Sequence, residues 1–345
     1  MKRVENPPNP YESAYREYLE EPPPVRVEVF EETAHSIIAA NDSPDIPFTY
    51  SVNPYRGCQH GCAYCYARPY HEYLGMGAGT DFESKLVVKV NAADLLDREL
   101  SRSKYRGQEL NFSGITDCYQ PLEAVYGLTR RCLEICLKHG NAAAIVTKGF
   151  LVARDVDVLS ALHAGPGAWV FVSIPFHDPE MARAIEPGAP PPSRRFEALR
   201  RLSAAGIPTG VMVAPIIPGL NDSQVPHILE AAAEAGASSA SYTAVRLPGS
   251  VEPVFLNRLE AALPLRYVRV KERIRDMRDG ELNDSRFFAR MTGTGRYWDS
   301  VRQLFDIHRQ RLGLSPHSCE SASRTGPPRV QEAAYTQLGF DFDSA

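Results

Sequence analysis

Cys58, Cys62 and Cys65 stand in the stretch NPYRGCQHGCAYCYARP, residues 53–69, with the spacing C-x3-C-x2-C. Thiols this close act as bridges in an oxidising compartment and as metal ligands or catalysts in a reducing one. The chain has seven cysteines, an odd number, and its 345 residues suffice for a full core without disulfide support. Metal binding is therefore the chemistry to which the spacing points, and two kinds of centre fit it. A closed zinc site needs a fourth ligand from His60, His71 or the distant Cys319; His60 lies between two ligands and would strain the tetrahedron, whereas His71 is feasible. An iron–sulfur cube held by only three thiolates instead keeps one iron open. A non-catalytic zinc-binding adaptor using Cys58, Cys62, Cys65 and His71 and an iron–sulfur enzyme are both open on these residues alone.

The elements around the cysteines narrow the geometry. Short apolar or β-branched runs, FTYSVN (48–53), LNFSGIT (110–116), AAAIVTK (142–148), WVFVSI (169–174), TGVMVAPI (209–216) and SASYTAV (239–245), alternate with segments whose apolar residues recur at helical spacing. Asn91, Ser193 and Asp222 or Ser223 are expected N-caps, and Gly140, Gly206 and Gly236 expected helix ends. KLVVKVNAADLLDREL adds a strand and helix before the second core strand. Six strands joined by helices predict an α/β fold, a partial (β/α)6 TIM-like barrel with N- and C-terminal extensions. Chemistry then sits at the C-terminal strand ends, and the cysteine stretch follows the first strand directly.

Residues 1–46, with NPPNP and EEPPP, are expected as a proline-rich arm; 47–250 as the barrel core; 251–314 as a helical part of the same unit; and 315–345 as a partly flexible tail in which Leu338, Phe340 and Phe342 dock back. The net charge of -4 argues against non-specific coating of nucleic acid. The N-terminus has no apolar h-region and no window reaches the roughly 18 apolar residues of a span, so a cytoplasmic protein without a membrane partner is expected.

An open iron can bind the amino acid end of S-adenosylmethionine, and one electron passed into the sulfonium gives a 5′-deoxyadenosyl radical, chemistry that a cofactor must supply. The three-cysteine spacing with Tyr64 before the last cysteine, together with TDCYQPLE, IVTKG, VMVAPIIPGLND and MTGTGRY, resembles the radical S-adenosylmethionine superfamily and, within it, a bacterial branch related to spore photoproduct lyase. The resemblance runs over roughly residues 35–312. It implies that Cys58, Cys62 and Cys65 hold a 4Fe-4S cluster, that S-adenosylmethionine is the second cofactor, and that a flavodoxin or ferredoxin donates electrons. It leaves the substrate unknown, with nucleic acid among the classes open.

Around the cofactor, Tyr64 is placed to pack against adenine. Thr116, Asp117, Thr147, Lys148 and Ser173 fall at successive strand ends; Asp117 suits ribose hydroxyls or an amine, and Lys148 a carboxylate. Ile216 and Ile217 read as an apolar wall. Glu186 and Arg195 read as a surface ion pair on a long loop, with a place in the site as the alternative. For hydrogen transfer the candidates are Cys118 and Tyr66, the latter matching a tyrosine near the lyase's cofactor; where the lyase carries its hydrogen-donating cysteine this chain has Ile115. Cys132 and Cys136 read as helix core, GMGAG as no phosphate loop, and YVRVKERIRDMRDG as a solvated helix face.

Overall fold

A computed structural model describes residues 26–105 and 107–316. Cys319 and the trio Leu338, Phe340 and Phe342 lie outside the described residues. Eleven strands occur among those described: β1 (Glu28–Glu32), β2 (Ile38–Ala40), β3 (Tyr50–Val52), β4 (Tyr55–Arg56), β5 (Lys85–Lys89), β6 (Leu110–Phe112), β7 (Ala143–Thr147), β8 (Ala168–Ser173), β9 (Thr209–Ile216), β10 (Ser239–Ala244) and β11 (Ser315–Pro316). All six apolar runs read from the sequence form strands. They lie parallel in chain order, β3, β6, β7, β8, β9, β10, as expected when each strand returns through a crossover on the same side.

Side-chain alternation follows from the pleat. In β7, Ala143, Ile145 and Thr147 are buried and the residues between them half-buried, whereas β8 is buried on both faces after Trp169. The amphipathic segments supply the outer layer as helices Leu128–His139, Val156–Ala164, Pro192–Ala204 and Val225–Glu234. Gly140 closes the first of these in the left-handed conformation, φ 68°, donating to Cys136 and Leu137 carbonyls. Two further helices, Val251–Ala262 and Pro264–Asp276, follow β10. No described helix is long and apolar enough to cross a membrane.

Some local expectations change. Ser193 lies inside its helix, which starts at Pro192 because proline is pre-set for the first turn. Asp222 and Ser223 form a 3-10 turn ahead of Val225 rather than capping the helix. Asn91 does precede helix Ala92–Leu100, yet its amide spends both groups on the backbone of Ala34, at 2.9 Å each.

That bond shows what becomes of the N-terminal arm. From Glu28 on it is ordered structure: β1 joins β5 in parallel, and β4 pairs β5 antiparallel, making a separate three-stranded sheet. Glu99 accepts from the backbone N–H groups of Ile37 and Ile38, at 3.0 Å each, fixing the start of β2 against the antiparallel edge of β3. Asp45 receives Arg290 through two bonds of 2.6 and 2.8 Å.

β9 packs tightly where it carries Gly210. A Cβ there would stand 2.5 Å from Ser239 Oγ and against the ring of Phe171, both on the neighbouring strands. Gly210→Ala is expected to destabilise the fold by about 1–3 kcal/mol through overpacking, read as a lowered midpoint in urea unfolding.

Candidate active site

The cysteine loop leaves β4 and passes over the C-terminal end of the barrel. Two of its glycines are required by shape. Gly57 (φ 73°) and Gly61 (φ 60°) occupy the left-handed region, and a Cβ on Gly61 would come 2.6 Å from Glu83 Oε2. Backbone turns follow from Gly61 N–H to Cys58 O, Cys65 N–H to Cys62 O and Arg68 N–H to Cys65 O, while Ala63 N–H reaches Ile185 O at 2.9 Å.

Arg68 secures this path. Its buried guanidinium donates to the carbonyls of Cys62 (3.0 Å), Gly61 (3.0 Å), Ala78 (2.8 Å) and Gly79 (2.8 Å) and to Glu83 (3.1 Å), which uses all five N–H groups. The sequence reading passed over Arg68 and Glu83; the signal available was only an arginine three residues after the last cysteine, in CYARP.

Cys58 and Cys62 are buried and Cys65 is half-buried. Burial first, then Asp117 and the other two cysteines, pushes the Cys58 thiol well above its ordinary range. Burial and then Glu186 push Cys62 up to about 12. Burial raises Cys65 too, against the nearby Arg68. Thiols buried in this way become thiolates together only beside a strong positive charge. Among the described residues no three His, Cys, Asp or Glu side chains gather closely enough for a single ion. A multi-iron cube takes thiolate ligands, and three cysteines are a donor set of that type.

Among the described residues Cys58, Cys62, Cys65 and His71 do not gather as the four ligands of one zinc ion, contrary to that expectation. His71 Nε2 lies 2.8 Å from the Lys85 carbonyl, and its ring packs edge-on against Phe82 at 5.6 Å. His60 Nδ1 lies 3.3 Å from Asp117 Oδ2.

Asp117 is a hub. Its Oδ1 accepts from Thr147 Oγ1 (2.6 Å) and the Tyr119 N–H (2.9 Å), and its Oδ2 from the Lys148 N–H (2.7 Å). Burial alone would raise this carboxyl, but His60 and the donors on Lys148 and Thr147 outweigh it and hold the pKa at about 2. Both oxygens thus already carry partners within the chain, which fits a scaffold for Thr147, Lys148 and His60. Thr116 is similarly occupied, its hydroxyl donating to Tyr55 O at 2.8 Å.

A second buried network lies beside the first. Arg195 donates to Glu186 Oε2 (2.5 Å), Pro190 O (2.7 Å) and Ser173 O (3.1 Å), and Tyr64 donates to Glu186 Oε1. Glu186 and Arg195 are each 1% exposed, so the surface ion pair expected from the sequence is a buried one, brought inward by the loop that follows β8. Lys148 Nζ donates to Ser173 Oγ (3.0 Å), sits 3.8 Å from Glu186 Oε1 and lies 5.7 Å from the centroid of the Tyr64 ring. Tyr64, Lys148 and Ser173 therefore meet at one barrel end. Ile216 and Ile217 are buried there, β9 running on through Pro215 to Ile216. The two hydrogen-transfer candidates separate: Cys118 is packed in the main core, whereas Tyr66 is 38% exposed, its hydroxyl donating to Gly114 O at 2.8 Å. Cys132 and Cys136 are fully buried in the core, as read.

Comparison with known proteins bears on the family and the fold. The family model described as the radical SAM superfamily matches residues 52–232. The chain is 37% identical over 248 residues to an uncharacterised protein of Mycobacterium tuberculosis, covering 70% of this chain and 73% of that protein. It is 24% identical over 297 residues to the radical SAM Nalpha-GlyT isomerase of Pseudomonas phage M6, covering 85% of this chain and 58% of that one. A solved structure of spore photoproduct lyase complexed with dinucleoside spore photoproduct superposes with a TM-score of 0.60 at 16% identity, over 84% of this chain and 81% of the lyase, a likeness of fold.

Two outcomes are expected. Arg68→Met strands the buried Glu83 and four carbonyls, costing about 3–5 kcal/mol, and lowers the iron and sulfide bound after reconstitution; Arg68→Lys recovers part of each. Asp117 has a folded pKa below its unfolded value, so its contribution of about 2 kcal/mol is present above pH 4 and lost as pH falls towards 2. Asp117→Asn should be less stable than wild type at pH 7, with the gap closing in acid, measured by urea unfolding across that range.

Proposed function

The chain belongs to the radical SAM superfamily, and from that membership we propose that it uses a 4Fe-4S cluster to cleave S-adenosylmethionine reductively and abstracts a hydrogen atom from a nucleic acid substrate at the barrel mouth. The observation that carries the reading is the loop that brings Cys58, Cys62 and Cys65 to the barrel end where Lys148, Glu186 and Tyr64 meet. When bound, the cluster and S-adenosylmethionine supply a one-electron reduction of the sulfonium and a carbon radical able to take hydrogen.

The chain's own residues do the positioning. Cys58, Cys62 and Cys65 hold the cluster. Lys148 is pre-aimed by Ser173 and by its own backbone bond to Asp117, and pairs with a carboxylate of the cofactor. Tyr64, fixed through its hydroxyl to Glu186, offers a ring face, and Ile216 forms the apolar wall beside it. Asp117 and Thr116 act as positioning residues. Tyr66, exposed beside Cys65, is the residue assigned to hydrogen transfer, and Cys118 is assigned to packing. Nucleic acid is supported by one protein of similar fold, solved with a dinucleoside photoproduct, and by the aromatic and basic side chains around Tyr66. The electron donor is assigned to the flavodoxin or ferredoxin class.

Anaerobically reconstituted protein, reduced with dithionite, is expected to form 5′-deoxyadenosine from S-adenosylmethionine, read by liquid chromatography. Cys58→Ala, Cys62→Ala and Cys65→Ala combined should bind no iron–sulfur cluster and form none of the product. A wild-type preparation with a full cluster and no 5′-deoxyadenosine would overturn the proposal.

A further inference from the structure

Other buried arginines near the barrel end find acceptors within the chain: Arg68 has five, Arg195 has three, and Arg278 donates to the carbonyls of Val245, Ala289 and Arg290 while its Nε is without a partner. Arg246 is different. It lies just past β10, at the catalytic end of the barrel, and among the described residues its guanidinium has neither a hydrogen-bond acceptor nor a carboxylate partner. Its contact is with the ring of Tyr66, 4.7 Å from the centroid, directly after the third cysteine. Asp45, the carboxylate whose charge bears on it, is committed to Arg290, whose like charge also bears on Arg246. A cation half removed from water, beside another cation and without an anion, is costly to maintain unless a ligand supplies the charge.

The surroundings say which anion. Tyr66, Tyr70 and Tyr73 are 38%, 50% and 66% exposed, with the Tyr70 and Tyr73 rings 6.3 Å apart. On the other side Arg290 covers Phe287 at 4.8 Å, and Phe287 is 52% exposed. Exposed rings interleaved with guanidinium groups form a surface on which bases stack while phosphates are held, and arginine matches phosphate with two parallel bonds. Resting on the nucleic acid reading of this site, we infer that Arg246 is a phosphate-binding subsite, which seats one phosphodiester of a single strand beside Tyr66 so that the neighbouring nucleotide enters the barrel mouth.

The test uses a short fluorescein-labelled oligothymidylate and fluorescence anisotropy across a salt series. Arg246→Met is expected to weaken binding about tenfold and to lower the magnitude of the slope of log affinity against log salt by about 0.7, the share of one phosphate contact on a single strand. Arg246→Lys should keep the slope and recover part of the affinity. If Arg246→Met also lowers the melting temperature, Arg246→Gln, which retains length and donors without charge, reads the slope instead. Unchanged affinity and slope in these variants, or no binding by wild type, overturns the subsite. Loss of S-adenosylmethionine binding in calorimetry with oligonucleotide binding intact also overturns it, because the anion would then be the cofactor's carboxylate. Arg246-dependent oligonucleotide binding by a protein that forms no 5′-deoxyadenosine would sink the proposed reaction and leave the subsite standing.

Discussion

The buried guanidinium of Arg68 is the interaction on which the barrel end depends. A loop carrying three thiols in so few residues has no strand ladder or helix to satisfy its carbonyls, and two left-handed glycines make it less regular still. Arg68 answers several of those acceptors at once, two from the cysteine loop and two from Ala78 and Gly79, and then balances its own charge on Glu83. Its planar fork suits this work in a way a lysine could not, because the bond directions are fixed before the loop closes.

Asp117 plays a related part on the opposite wall. It collects donors from β7, from the turn at Tyr119 and from His60, so the strand end that carries Lys148 is tied to the loop that carries the thiols. The Glu186 and Arg195 pair adds a tie to β8 through Ser173. The candidate site is therefore rigid where it would hold a cofactor and is exposed at Tyr66, where a substrate would enter.

The barrel and the cysteine loop were legible in the sequence because their signals are local. β-branched runs, helical spacing and the C-x3-C-x2-C pattern each lie within a few residues. What was not legible depends on partners far apart in the chain. Arg68 with Glu83, and Arg195 buried on Glu186 under the residue 173 strand end, carry no local mark that separates them from solvated charge. The same applies to Arg246, whose meaning lies in a missing partner that only folding reveals. The ordered part of the N-terminal arm was hidden for a third reason: prolines in its first residues obscured the run EVFEE, and the carboxamide of Asn91 was read as a cap when its partner is Ala34.

An incomplete barrel carries a hazard that a closed one does not, since its two outermost strands offer unpaired backbone to any other chain. Among the described residues one of those places is held by β2, three residues long, and at the other Pro316 of β11 has no N–H to offer. Short strands and an edge proline are the devices that keep sheets from growing by addition. An incomplete barrel can thus carry an edge that is short and an edge residue without a donor.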